Sequence, residues 1–129
     1  CCGIGTVVIE ALDLGIDVKG YEISKSIACN ARNNIEFLGY NREIITSGDM
    51  HNINETFDVA IVDIPYGLFS PVTIQEQIEI INTSRKIARK LVIITFEDMD
   101  NLIISAGFKI VEKCYMTKGN MTRQISICV

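Results

Sequence analysis

The run Phe57-Asp58-Val59-Ala60-Ile61-Val62 leads straight into Asp63-Ile64-Pro65-Tyr66-Gly67. The apolar and β-branched side chains predict a buried strand. Proline removes a ladder donor and stiffens the backbone, so the strand stops there. Gly67 lets the chain turn sharply after Tyr66. An acid at the carboxyl end of a buried strand is costly unless something pairs with it. In open α/β sheets that edge is where ligands bind. Asp63 and Tyr66 are therefore the first candidates for function.

The rest of the chain sets this strand in a repeating context. Gly3-Ile4-Gly5-Thr6 opens a helix through Leu12 that ends at Gly15. Residues 17–21 predict a strand ending at Glu22. Ser24 caps a helix with Ile27, Ala28, Ala31, Ile35 and Leu38 inward, closed by Gly39. Residues 43–46 predict the next strand, followed by Gly48-Asp49. After the strand that ends at Asp63, Thr73 and Glu76 form a capping box for a helix over 74–90. Its expected inward residues are Ile78, Ile81, Ile87 and Ala88. Residues 91–96 read as a buried strand. Asp98 or Asp100 caps a short helix ending at Ala106-Gly107. Residues 108–115 and 123–129 predict strands joined by Thr117-Lys118-Gly119-Asn120, an antiparallel hairpin. Strands alternating with helices predict an α/β domain with a mostly parallel sheet. A glycine loop of the Gly3-Ile4-Gly5 kind follows a strand, yet only Cys1-Cys2 precede it. The chain thus reads as one domain over 1–129, cut at its N-terminal side, with its first strand missing.

Composition excludes several classes. With 129 residues there is room for one domain with a real core. No apolar run is long enough to cross a bilayer, and no signal peptide is visible. A net charge of -4 and a pI of about 4.9 argue against gripping nucleic acid by charge alone. The basic cluster Arg85, Lys86, Arg89 and Lys90 suits a solvated helix end. Five cysteines without a C-x-x-C pair read as buried free thiols in a reducing cytoplasm. With His51 the single histidine, no metal site is expected.

Order and spacing strengthen the glycine loop. Glu22 ends the next strand, about 20 residues on, where an acid accepts hydrogen bonds from ribose hydroxyls. Asp49 follows the strand after that, placed to accept from an exocyclic amine of adenine. Asp63 ends the next strand again, so three acids fall on one rim. Plainer readings stand beside these. Gly3 and Gly5 can make a tight turn, Glu22 can be a helix-start residue, Asp49 a turn former, and Thr6 a helix cap.

"CCGIGT", "YEIS", "GDM" and "DIPYG" resemble the motifs of class I S-adenosylmethionine-dependent methyltransferases. More narrowly, the whole chain is similar to the tRNA guanine-N2 methyltransferase group, which usually carries an N-terminal THUMP-type RNA-binding domain. Thr122-Arg123-Gln124-Ile125 adds to that likeness, and Ile64 stands where many members have proline. The resemblance implies a Rossmann-like fold and S-adenosyl-L-methionine as cofactor. It implies cofactor contacts from Cys2, Gly3, Gly5, Thr6, Glu22, Ile23, Asp49, Met50 and Asp63. It implies a catalytic segment Asp63, Ile64, Pro65 and Tyr66, and a tRNA substrate held mainly by a domain outside these residues.

An aromatic exocyclic amine is a poor nucleophile because its lone pair is delocalised. Accepting its N–H bonds through Asp63 and the Ile64 carbonyl favours a pyramidal, more nucleophilic nitrogen, while Tyr66 stacks on the flipped base. Arg123 and Lys118 are candidates for RNA contact or for a solvated hairpin. Competing readings are a DNA adenine-N6 methyltransferase, a non-catalytic cofactor-binding subunit, and a nicotinamide-dependent reductase, which has no use for D-x-P-Y.

Overall fold

A computed structural model describes residues 1–65 and 72–129, with only the backbone of residue 118. It contains six strands and four α-helices among these residues. The chain forms two compact units, Cys1–Asn52 and Ile53–Val129.

In the first unit, α1 (Thr6–Asp13) leads to β1 (Gly20–Glu22), α2 (Lys25–Phe37) and β2 (Ile45–Ser47). The two strands pair in parallel, with Gly20 opposite Ile45 and Glu22 opposite Ser47. Ser24 caps α2 as expected, its hydroxyl accepting from the Ile27 amide. Val8, Ala28, Ala31, Ile35 and Ile45 form the core, with Leu12, Val18 and Tyr40 packed against it. Each large aliphatic residue buried this way contributes about 1.5–3 kcal/mol. Ile27 and Leu38, expected inward, are exposed: they lie at the margin of the stripe that Ala28, Ala31 and Ile35 define. Residues 43–46 are not one strand. Asn41 accepts from the Glu43 amide and starts a 3-10 turn over Arg42–Ile44, so β2 begins only at Ile45.

In the second unit, β3 (Phe57–Asp63), α3 (Ile74–Ile87), β4 (Ala88–Thr95), α4 (Asp100–Ser105), β5 (Ile110–Lys118) and β6 (Met121–Cys128) follow in turn. The sheet order is β3-β4-β6-β5. β3 and β4 are parallel, and β6 is antiparallel to both β4 and β5. Parallel pairs are thus joined to an antiparallel hairpin, as expected. Leu91, Ile93, Ile81, Ile103 and Cys128 are almost fully buried at its core.

Several boundaries differ from the expectation. The Thr73–Glu76 capping box is present, but α3 ends at Ile87, and Ala88, Arg89 and Lys90 already belong to β4. Phe57 pairs with Ala88 and Val59 with Lys90, so ladder formation overrides the helical pattern there. Neither Asp98 nor Asp100 caps α4: the N-cap is Met99 with no side-chain cap, and Asp98 Oδ1 accepts instead from the Asp100 amide two residues on, a local turn contact. The hairpin turn is tighter than expected, with Thr117 and Lys118 paired in β5 and Gly119 at φ 60°. β3 is not buried on both faces: Val59 and Ile61 are exposed, and β3 is the edge strand of its sheet. Of the cysteines only Cys128 is buried, while Cys1, Cys29 and Cys114 are exposed, which corrects the buried-thiol reading.

Candidate active site

The glycine loop of the first unit is built around Glu22. Gly3 and Gly5 have φ of 56° and 91°, left-handed values that suit glycine. A Cβ on Gly3 would meet nothing within 4 Å, whereas one on Gly5 would touch Ala31. The loop is therefore close-packed behind Gly5 and open at Gly3. Asn34 on α2 donates to the Ile4 carbonyl at 3.0 Å, a tether no motif announces. The Cys2 amide donates to the Tyr21 carbonyl at 2.9 Å, tying the loop to β1.

Glu22 is only 7% exposed. Its Oε2 accepts from the Gly3 amide at 3.0 Å and its Oε1 from the Ser24 amide at 3.0 Å. Burial pushes the carboxyl up, and hydrogen bonds from the Ser24 and Gly3 amides pull it down. Glu22 is thus both the helix-start residue of the plainer reading and the anchor of the glycine loop.

The other first-unit candidates lie around the same strand ends. The Gly48 amide donates to the Glu22 carbonyl at 2.9 Å, bringing the Gly48-Asp49 turn beside Glu22. Asp49 Oδ1 accepts from the His51 amide at 2.9 Å, so Asp49 does form a turn. Met50 starts a 3-10 turn and is half-buried. Ile23 is 67% exposed. Thr6 does not cap α1: the N-cap is Gly5, and no side chain accepts from the first-turn amides. Uncapped amides at a helix N-terminus favour an anionic group.

In the second unit, Asp63 closes β3, opposite Ile94. The ladder continues one step past it, with the Ile64 amide donating to the Ile94 carbonyl at 3.0 Å. Ile64 is 2% exposed and anchors the segment in the core. The Pro65 carbonyl accepts from Gln77 of α3 at 3.2 Å. The two oxygens of Asp63 differ: Oδ2 accepts from Arg123 Nη1 at 3.2 Å, while Oδ1 is buried and has no hydrogen-bond partner among the described residues. Burial raises the carboxyl above its ordinary value, and Arg123 opposes that rise. Tyr66 and Gly67 lie outside the described residues. Sequence reasoning placed Arg123 against RNA or solvent, and its partnership with Asp63, 60 positions away, had no local signal.

No family profile matches the chain, and no curated protein matches it in sequence. Solved structures do. Magnesium protoporphyrin IX methyltransferase from Synechocystis PCC 6803, with S-adenosylmethionine bound, is 17% identical, with a TM-score of 0.85. The match covers 98% of this chain and 65% of that one. The fold is that of S-adenosylmethionine-dependent methyltransferases. TrmN from Thermus thermophilus matches over 99% of this chain and 41% of its own, at 14% identity and a TM-score of 0.79. A candidate RNA methyltransferase from Pyrococcus horikoshii matches over 98% of this chain and 68% of its own, at 18% identity and a TM-score of 0.79. The fold is therefore common to chains with different substrates, and the substrate must be argued from the site.

Among the described residues, no cluster of His, Cys, Asp and Glu could hold a metal ion. None of their helices is long and apolar enough to cross a membrane.

Proposed function

We propose that this chain is a methyltransferase that uses S-adenosylmethionine to methylate an exocyclic base amine of RNA, guanine N2 of tRNA. The observation that carries the reading is the buried, unpartnered Oδ1 of Asp63 at the end of a parallel strand, on a methyltransferase fold. An unsatisfied buried acceptor costs about 1–3 kcal/mol, and an amine N–H is the donor that relieves it. The alternation of Asp63 with Ile64 and Pro65, followed in sequence by Tyr66, suits an amine presented edge-on beside a stacking ring.

The chain's own groups divide the work. In the first unit, the loop at Gly3 offers close backbone approach, the first-turn amides of α1 donate to an anionic carboxylate, and Glu22 accepts from ribose hydroxyls. Cys2, Thr6, Ile23 and Met50 line that binding region and Asp49 accepts from the adenine amine. When bound, S-adenosylmethionine supplies a sulfonium methyl: the N–C bond forms as the S–C bond breaks, and a proton then leaves the nitrogen. Asp63 Oδ1 accepts an N–H of the base amine and steers its lone pair out of the ring plane. The Ile64 carbonyl takes the second N–H.

The acidic balance of the chain fits a catalytic domain whose RNA grip lies in a THUMP-type domain, acting in the cytoplasm. The test is tritium transfer from methyl-labelled S-adenosylmethionine to unmodified tRNA, followed by nucleoside analysis. N2-methylguanosine that disappears with Asp63→Ala is the expected outcome. Labelled carbon, ribose or carboxylate, or label that survives the substitution, overturns the reading.

A further inference from the structure

Asp63 and Arg123 sit on β3 and β6, with β4 between them. The arginine therefore reaches across a whole strand to place Nη1 3.2 Å from Asp63 Oδ2. Its guanidinium is fixed a second time, with Cζ 4.9 Å from the centre of the Phe96 ring, just past the end of β4. Cation–π contact and ion pair hold the group at two points, and a planar fork so held loses little further freedom on binding. The consequence for Asp63 is an asymmetric carboxylate. One oxygen is taken by Arg123, and the other is buried with no donor among the described residues.

We propose that Arg123 is the positioning residue for the acceptor amine, holding Asp63 by Oδ2 so that Oδ1 is presented, ionised and in fixed orientation, to one substrate N–H. This rests on the base-amine reading above. Burial works against the ionised form, and among the described residues Arg123 is the one charged group acting on Asp63 in the other direction. A protonated Asp63 would offer a donor where an acceptor is needed. Phe96 keeps the guanidinium from swinging away when the carboxylate moves. The arginine does not touch the reacting atoms. It acts through the aspartate.

The test uses Arg123→Gln and Arg123→Lys in the full chain. The Asp63 carboxyl is titrated by carbon-detected NMR, and methyl transfer to unmodified tRNA is followed against pH. Arg123→Gln should move the Asp63 midpoint upward and shift the acid limb of the rate profile in the same direction. Turnover at neutral pH should fall by about 10- to 100-fold, as for loss of a charged hydrogen-bond partner, with cofactor affinity unchanged. Arg123→Lys restores the charge without the fork, so it should return the midpoint while recovering only part of the turnover. An Asp63 midpoint that does not move in Arg123→Gln overturns the proposal. So does an unchanged rate in Arg123→Gln when Asp63→Ala is inactive. If Asp63→Ala itself keeps the wild-type rate, the base-amine reading fails first and this proposal falls with it.

Discussion

Gly20 offers a stringent test of how closely the first unit is packed beneath the glycine loop. A Cβ at this position would stand 2.6 Å from Ile45 Cδ1, 3.0 Å from Val8 Cγ2 and 3.1 Å from Cys2 Sγ. Ordinary carbon contacts lie at about 3.5–4.0 Å, so Gly20→Ala forces a neighbour to move by roughly 1 Å. Ile45 can shift its tip, but it is 1% exposed and has no vacant space to enter. Val8 is stiff about χ1 and cannot turn aside cheaply. Overpacking of this kind costs about 1–3 kcal/mol, and the lower chain entropy of alanine in the unfolded state returns about 0.4–1 kcal/mol. The net loss is about 1–2 kcal/mol. With a urea slope of about 1–3 kcal/mol per molar, the unfolding midpoint should fall by on the order of 0.5–1 M. Gly48→Ala is the internal control, because its Cβ would meet only Thr46 Cγ2 at 3.9 Å. That variant should be neutral or slightly stabilised. Midpoints for the two variants that agree within about 0.2 M would refute the packing argument.

Two other outcomes follow from particular contacts. Thr73 Oγ1 accepts from the Glu76 amide at 3.2 Å, and Glu76 Oε2 accepts from the Thr73 amide at 2.7 Å. Thr73→Ala should therefore cost about 1 kcal/mol in thermal melts, and Thr73→Ser should recover most of it. Because burial raises the Asp63 carboxyl, the charged form disfavours the fold: its contribution is favourable below the unfolded value and is lost as pH rises through the folded one. Asp63→Asn should accordingly raise the melting temperature at pH 7, with the gain vanishing below about pH 4, the ordinary aspartate value. A lower melting temperature at pH 7 would contradict that sign.

Much of the fold was legible because the signals were local. Ser24 ahead of α2, Thr73 with Glu76, and the Gly119-Asn120 turn each specify an element within a few residues. The strand ending at Asp63 was legible for the same reason. What was missed depends on tertiary partners. Residues 88–90 carry a helical pattern but pair with β3, and only the ladder decides between them. Val59 and Ile61 lie two apart on one exposed face of β3, and an unbroken apolar run does not encode which face is covered. At the site, Glu22 and the glycines were found by spacing. The Arg123–Asp63–Phe96 arrangement joins three strand ends that are adjacent only in the folded sheet.

The two acids of this fold are held in opposite ways. Glu22 bonds to two amides of the chain itself, at Gly3 and Ser24, so the folded first unit needs it whether or not any reaction takes place. Among the described residues nothing donates to the second oxygen of Asp63, and in the proposed reading a substrate N–H does. If the proposed reading holds, a descendant that had given up the reaction would lose Asp63 to drift early and keep Glu22 for far longer. Under the proposed reading, the acid at the Asp63 position would mark related chains that keep the activity better than the more visible glycine–glutamate pattern does.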